Sequence, residues 1–97
     1  MKPRIIVCGL GHTGHKIFSL LRQQGAIVVG ISDRPIRGET SDVVVGNLQA
    51  ASTLLAAGIQ SAHTLVIAGD DDAVNLAILM QSPISSQTPI ILKIFSF

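Results

Sequence analysis

The chain has 97 residues, 47% apolar, 13% charged and 3% aromatic, with a formal net charge of +1. That length suits one domain with a buried core, and the aliphatic content excludes intrinsic disorder. The near-neutral balance gives no basis for nucleic-acid binding or polybasic membrane attachment, and no apolar run approaches the ~20 residues that span a bilayer.

The opening Met1-Lys2-Pro3-Arg4 lacks a signal-peptide pattern, and one cysteine, Cys8, allows no internal disulfide. Both fit a reducing, cytoplasmic compartment. Ile5 to Cys8 is an unbroken apolar run, as in a strand covered on both faces of a parallel sheet. Cys8 within it reads as a small core residue. The run breaks into Gly9-Leu10-Gly11-His12-Thr13-Gly14, a G-x-G-x-x-G sequence. Ile17, Leu20 and Leu21 then recur at helical spacing as far as Gln24, and Gly25 stands where a C-terminal cap is wanted.

Strand, glycine turn and helix come in the order of a dinucleotide-binding unit. Gly9 permits a sharp exit from the strand, Gly11 lets a pyrophosphate approach the backbone, and Gly14 lets the helix lie close on the sheet. Free amides and the positive end of the helix dipole then hold phosphates. A second strand, about Ala26 to Ile31, leads to Asp33, roughly 20 residues past the last glycine, where an acidic side chain meets ribose hydroxyls. Arg34, beside it, could pair a 2′-phosphate; Asp33 disfavours one, which favours NAD over NADP.

Residues 34–42 have no helical periodicity, so the crossover to the third strand, Val43–Val45, reads as a loop or a single turn. The helix that normally occupies a parallel crossover is missing or reduced. Gly46 and Asn47 end the third strand, and Asn47 is a suitable N-cap for a helix from Leu48 to about Ala57 packing through Leu54 and Leu55. Gly58 reads as its C′ residue, with Ile59 as the hydrophobic contact beyond. Thr64 to Ala68 is a fourth strand. Asp70-Asp71-Asp72 supplies a cap and an acidic first turn for a helix to about Gln81, which Ser82-Pro83 stops.

That third helix carries two apolar stripes, Val74, Ala77 and Ile78 on one side and Leu76, Leu79 and Met80 on another. The second stripe suits a neighbouring helix, a second subunit or further sequence. Pro89 to Phe95 is a fifth strand. The apolar end at Ile94-Phe95-Ser96-Phe97 leads us to expect a fragment of a longer polypeptide.

The fold class expected is therefore α/β, a Rossmann-like doubly wound parallel sheet of about five strands in the order 3-2-1-4-5. Its ligand crevice lies outside the carboxyl ends of strands one and four. The glycine loop, Asp33, Gly46-Asn47 and Ala68-Gly69-Asp70 all fall on that rim.

These residues resemble the TrkA-N domain, the N-terminal lobe of regulators of potassium conductance (RCK). The likeness lies in the glycine loop, Ile31-Ser32-Asp33, Val45-Gly46-Asn47, Ala57-Gly58-Ile59 and Val66 to Leu76, and covers nearly the whole chain. It implies a cytoplasmic regulatory domain that binds NAD(H), or ATP, ADP or another adenine nucleotide. The implied partner is a potassium channel, a potassium uptake system or a cation/proton antiporter, with a homodimer or larger homo-oligomer as the assembly. By the same resemblance Gly9, Gly11, His12, Thr13 and Gly14 hold phosphates and Asp33 the ribose. Asn47 and Leu48 stand near the adenine, with Ala68 and Gly69 as the opposite wall.

Three departures stand out. His12 replaces the family's usual arginine, and histidine is a weaker, pH-dependent phosphate partner. Asn47 replaces a usual aspartate, removing a charge beside the ligand. The crossover helix is the third. His12 and His15 lie one turn apart with no third ligand nearby, so they do not complete a zinc site. No nucleophile–base pair or catalytic lysine is evident. A ligand-sensing module is the first reading. A cofactor-binding lobe of an NAD(P)-dependent oxidoreductase is the second, and a degenerate fold used only for dimerisation the third.

Overall fold

Strand β1 (Arg4–Cys8) lies at the centre of a five-stranded sheet, as its apolar run requires: Ile6, Val7 and Cys8 are fully buried. The computed structural model describes residues 4–36, 42–81 and 89–92. In chain order the elements are β1, α1 (His12–Gln23), β2 (Ile27–Ser32), β3 (Val43–Val45), α2 (Ala51–Ala56), a 3-10 turn at Ile59–Ser61, β4 (Thr64–Ile67), α3 (Asp72–Gln81) and β5 (Ile90–Leu92). The sheet order is β3-β2-β1-β4-β5 and all four pairings are parallel, in agreement with the sequence reading. Cys8 stands opposite Ile31 on one side and Ile67 on the other, so β1, β2 and β4 end level with one another.

Alternation along β1 divides the interior into two layers. Ile6 and Cys8 face Leu54, Ile59, Leu65, Ile67 and Ile78, which brings α2 and α3 onto one side. Val7 faces Leu10, Phe18, Val28 and Val66, which brings α1 onto the other. Helix α1 ends in a Schellman motif. Gly25, at φ +86°, donates its N–H to the Arg22 carbonyl, and Ala26 donates to the Leu21 carbonyl. Gly58 is left-handed in the same way at φ +87°, and Ile59 beyond it is fully buried, as expected of a C′ glycine and its contact.

Among its described residues, the crossover from β2 to β3 lacks the helix of the doubly wound pattern. Residues 33–36 carry no helix, only a bridge at Ile36, and residues 37–41 lie outside the described residues. Val45 on this edge is half exposed.

Helix α2 corrects the sequence reading. It begins at Ala51 with Ala50 as its N-cap, not at Leu48 with Asn47 as cap. The Asn47 side-chain oxygen accepts from Gln49 N–H at 2.9 Å and its carbonyl accepts from Ala50 N–H at 3.1 Å. Asn47 thus closes a separate turn before the helix, a competing use of the side chain that helix capping and Asx turns share. Leu55 is another correction: it points outward, and Leu54 alone of the pair is buried. On α3, Ile78 is buried while Leu76 and Met80 of the second stripe are exposed. The expected stop at Ser82-Pro83 and the end of the fifth strand beyond Leu92 lie outside the described residues. No helix among the described residues is long and apolar enough to cross a membrane.

Cys8 is buried and free, and burial pushes its thiol up from 9.0 to about 12. The thiolate is the reactive form, so native protein at pH 8 should resist alkylation by iodoacetamide and react fully once unfolded in urea. The raised value also gives a sign for alkaline stability. Above pH 9 the unfolded thiol ionises while the folded one stays protonated, so this contribution is lost between pH 9 and about 12. Rapid labelling of folded protein at pH 8 would contradict the buried placement.

Candidate functional site

The level strand ends create a rim, and three loops leave it side by side. Gly9 donates its N–H to the Ile31 carbonyl at 2.9 Å, and Ala68 donates to the Cys8 carbonyl at 2.9 Å. The glycine loop is thereby fastened between the exits of β2 and β4. Gly9 has φ +96°, and a Cβ there would lie 2.7 Å from both N and Cα of Gly69, so only glycine fits. Gly11 is the N-cap of α1 and offers no side-chain acceptor, while its carbonyl accepts from His15 N–H at 2.9 Å. The first amides of α1 therefore face outward at the positive end of a 12-residue helix.

Between these loops lies a cleft of about 490 Å³. It is lined by Gly9, Leu10 and Gly11 of the glycine loop, by Asp33 and Arg34 after β2, by Leu48, and by Gly69 and Asp70 after β4. An adjoining hollow shares Asp33, Leu48 and Val74 and adds Gly46, Asn47 and Gln49. The expected residues not on the cleft wall are His12, Thr13, Gly14, Asn47 and Ala68, of which Asn47 lines the adjoining hollow instead. His12 is exposed and Thr13 half-buried on the first turn of α1. Gly14 is buried, where its lack of a side chain serves helix packing, and Ala68 is fully buried behind the wall.

The structure adds residues the sequence did not single out for the site. Ser32, buried at the end of β2, accepts from Arg34 N–H through its Oγ at 3.2 Å, which orients the turn carrying Asp33. Arg34 Nε lies 3.4 Å from Asp33 Oδ1; both side chains are more than half exposed, so water screens the pair heavily. Ile36 and Val74 join Leu48 in the lining and add apolar surface suited to a flat base. Asp71, whose Oδ1 accepts from Ala73 N–H at 2.9 Å and Val74 N–H at 3.3 Å, caps α3. Asn75 is fully buried and donates from Nδ2 to the Gly69 carbonyl at 2.9 Å, tying the loop after β4 to α3. A polar residue one helical turn before buried Ile78 was the available signal for Asn75.

Comparison with known proteins decides the family: the model of the TrkA-N domain matches residues 5–96. The chain belongs to the TrkA-N domain family. Among solved structures, the GsuK RCK domain is similar to this TrkA-N domain at a TM-score of 0.78 and 23% identity, over 91% of this chain and 20% of that one. The Kef CTD of Shewanella denitrificans, in AMP-bound form, gives 0.73 and 28% over 84% of this chain and 56% of that one. A short-chain dehydrogenase/reductase superfamily protein from Agrobacterium tumefaciens, with bound NAD, gives 0.60 and 33% over 68% of this chain and 20% of that one. This TrkA-N domain thus spans about a fifth of the GsuK chain and just over half of the Kef chain. No curated protein matches its sequence.

Proposed function

We propose that this TrkA-N domain binds an adenine nucleotide, NAD(H) foremost, and reports its occupancy to a potassium or cation transport system without catalysing a reaction. The observation that carries the reading is the convergence in one cleft of a glycine loop at a helix N-terminus, an exposed carboxylate at the end of β2, and the apolar pair Leu48 and Val74. These match the diphosphate, ribose and base of one ligand. Support comes from the ligands of similar structures, AMP on the Kef domain and ADP on GsuK. Occupancy acts on a partner only by a difference in ligand affinity between two conformations. Cytoplasmic placement and a homo-oligomer belong to the same proposal.

The NAD-bound Agrobacterium protein favours a second reading, the cofactor lobe of an oxidoreductase. That function needs additional residues to bind and protonate a substrate beside the nicotinamide.

Thermal melts with NADH, NAD, NADP, ADP, ATP and AMP test the proposal. Ligand at a hundred times its dissociation constant stabilises by about 2.7 kcal/mol, which for a domain of this size raises Tm by roughly 10 °C or more. A rise is expected with NAD(H) or an adenine nucleotide. Asp33→Ala should weaken NAD more than NADP, because only NAD presents a free 2′-hydroxyl to the carboxylate. No rise with any ligand contradicts nucleotide binding, and equal losses contradict the ribose role of Asp33.

A further inference from the structure

The room that a missing Cβ leaves at Gly11 is the room a pyrophosphate needs against this loop. Here that room already holds an anion. A Cβ on Gly11 would overlap Asp70 Oδ2 and lie 3.1 Å from Asp70 Cγ and 3.5 Å from Oδ1. The Asp70 carboxylate therefore lies over the N-cap of α1, at the positive end of its dipole, where a phosphate would sit.

We propose that Asp70 is a built-in competitor for the phosphate seat, occupying the glycine loop until a nucleotide displaces it. The inference rests on the nucleotide reading and adds a residue that sets affinity according to ligand charge. Two like charges cannot share the seat, so a phosphate must move the carboxylate away. Asp70 lies on the short link between Gly69, held by Asn75, and Asp71, which caps α3. Its displacement is thus felt first at the start of α3. A ligand that lacks phosphate does not contest the seat and is indifferent to Asp70.

The test is calorimetric titration of the wild-type chain and Asp70→Asn with ADP, NAD and adenosine, at low salt with EDTA. The amide is the same shape as the carboxylate but carries no charge. Asp70→Asn should bind ADP and NAD at least about fivefold more tightly, with adenosine unchanged, and the gain should shrink as salt screens the charge. Asp71→Asn removes an equal charge one residue away and retains a capping side chain, so its gain should be smaller. Unchanged or weaker ADP binding by Asp70→Asn overturns the inference, as does an equal gain for adenosine or for Asp71→Asn. Weaker binding by Asp70→Asn when Mg²⁺ is added also overturns it, because the carboxylate would then be holding a cation against the phosphate. Binding of no nucleotide by either protein overturns the nucleotide reading itself, whereas equal binding by both overturns only the role of Asp70.

Discussion

Gly14→Ala is expected to destabilise the domain by about 3 kcal/mol or more, at the upper end of overpacking costs. A domain of this size then melts roughly 12–24 °C lower. Gly14 lies in the first turn of α1, and a Cβ there would overlap the Gly9 carbonyl oxygen, with the Gly9 carbonyl carbon at 2.8 Å and the Ala68 carbonyl oxygen at 3.3 Å. All three atoms belong to backbone fixed by the sheet, because Gly9 and Ala68 are both bonded into the strand ends. No flexible side chain can yield. The helix would have to lift from β1, uncovering fully buried Phe18 and loosening its layer with Val7 and Val66. Thermal and urea melts of the two proteins measure the loss. A fall of less than about 4 °C, the lower figure for 1 kcal/mol, would mean that helix and strand end are not in contact.

Gly11→Val is expected to do the reverse, leaving the fold and removing the ligand. Gly11 has φ −74° and ψ −154°, extended backbone open to any residue. The three atoms nearest its Cβ would all belong to the carboxyl group of exposed Asp70, the end of a flexible side chain rather than backbone. Valine is a poorer N-cap than glycine, which should lower stability by about 1 kcal/mol. The added methyl groups, however, fill the space between the first amides of α1 and a phosphate. Binding of ADP and NAD should weaken by about a hundredfold, equivalent to ~2.7 kcal/mol. Titration calorimetry beside a urea melt separates the two effects. Retained affinity would place the phosphates elsewhere.

The contrast between these two glycines was largely legible in the sequence, because their roles follow from their places in one strand–turn–helix pattern. Strand order was legible for a related reason. Five short apolar runs joined by helical or looped segments have few right-handed arrangements, and β3-β2-β1-β4-β5 is the doubly wound one. The start of α2 was not legible, because an Asn side chain can cap a helix or close its own turn with nearly the same local pattern. Asn47 does the second. Leu55 points outward because it lies about 100° round the helix from fully buried Leu54, beyond the face that packs on the sheet.

At the site, Asp33 and the glycines could be placed from spacing alone. Ser32, Val74 and Asn75 could not, since each acts through a neighbour brought close by tertiary folding. Ser32 orients the turn of Arg34, Val74 lines the cleft together with Leu48, and Asn75 fastens the Gly69 carbonyl. The contact of Asp70 with Gly11 joins residues from the ends of different strands, so no local pattern signals it. Helix capping explains the neighbouring Asp71, whereas Asp70 is placed on the ligand rim by the sequence without its contact to Gly11.

The most direct measurement is a backbone amide map by two-dimensional NMR during titration with ADP. Seating of phosphates on the loop predicts the largest shifts at the amides of Gly11, His12, Thr13 and Gly14, with smaller ones at Asp33 and Leu48. Shifts gathered on the outer face of α3 around Leu76 and Met80, with those loop amides unmoved, would contradict it.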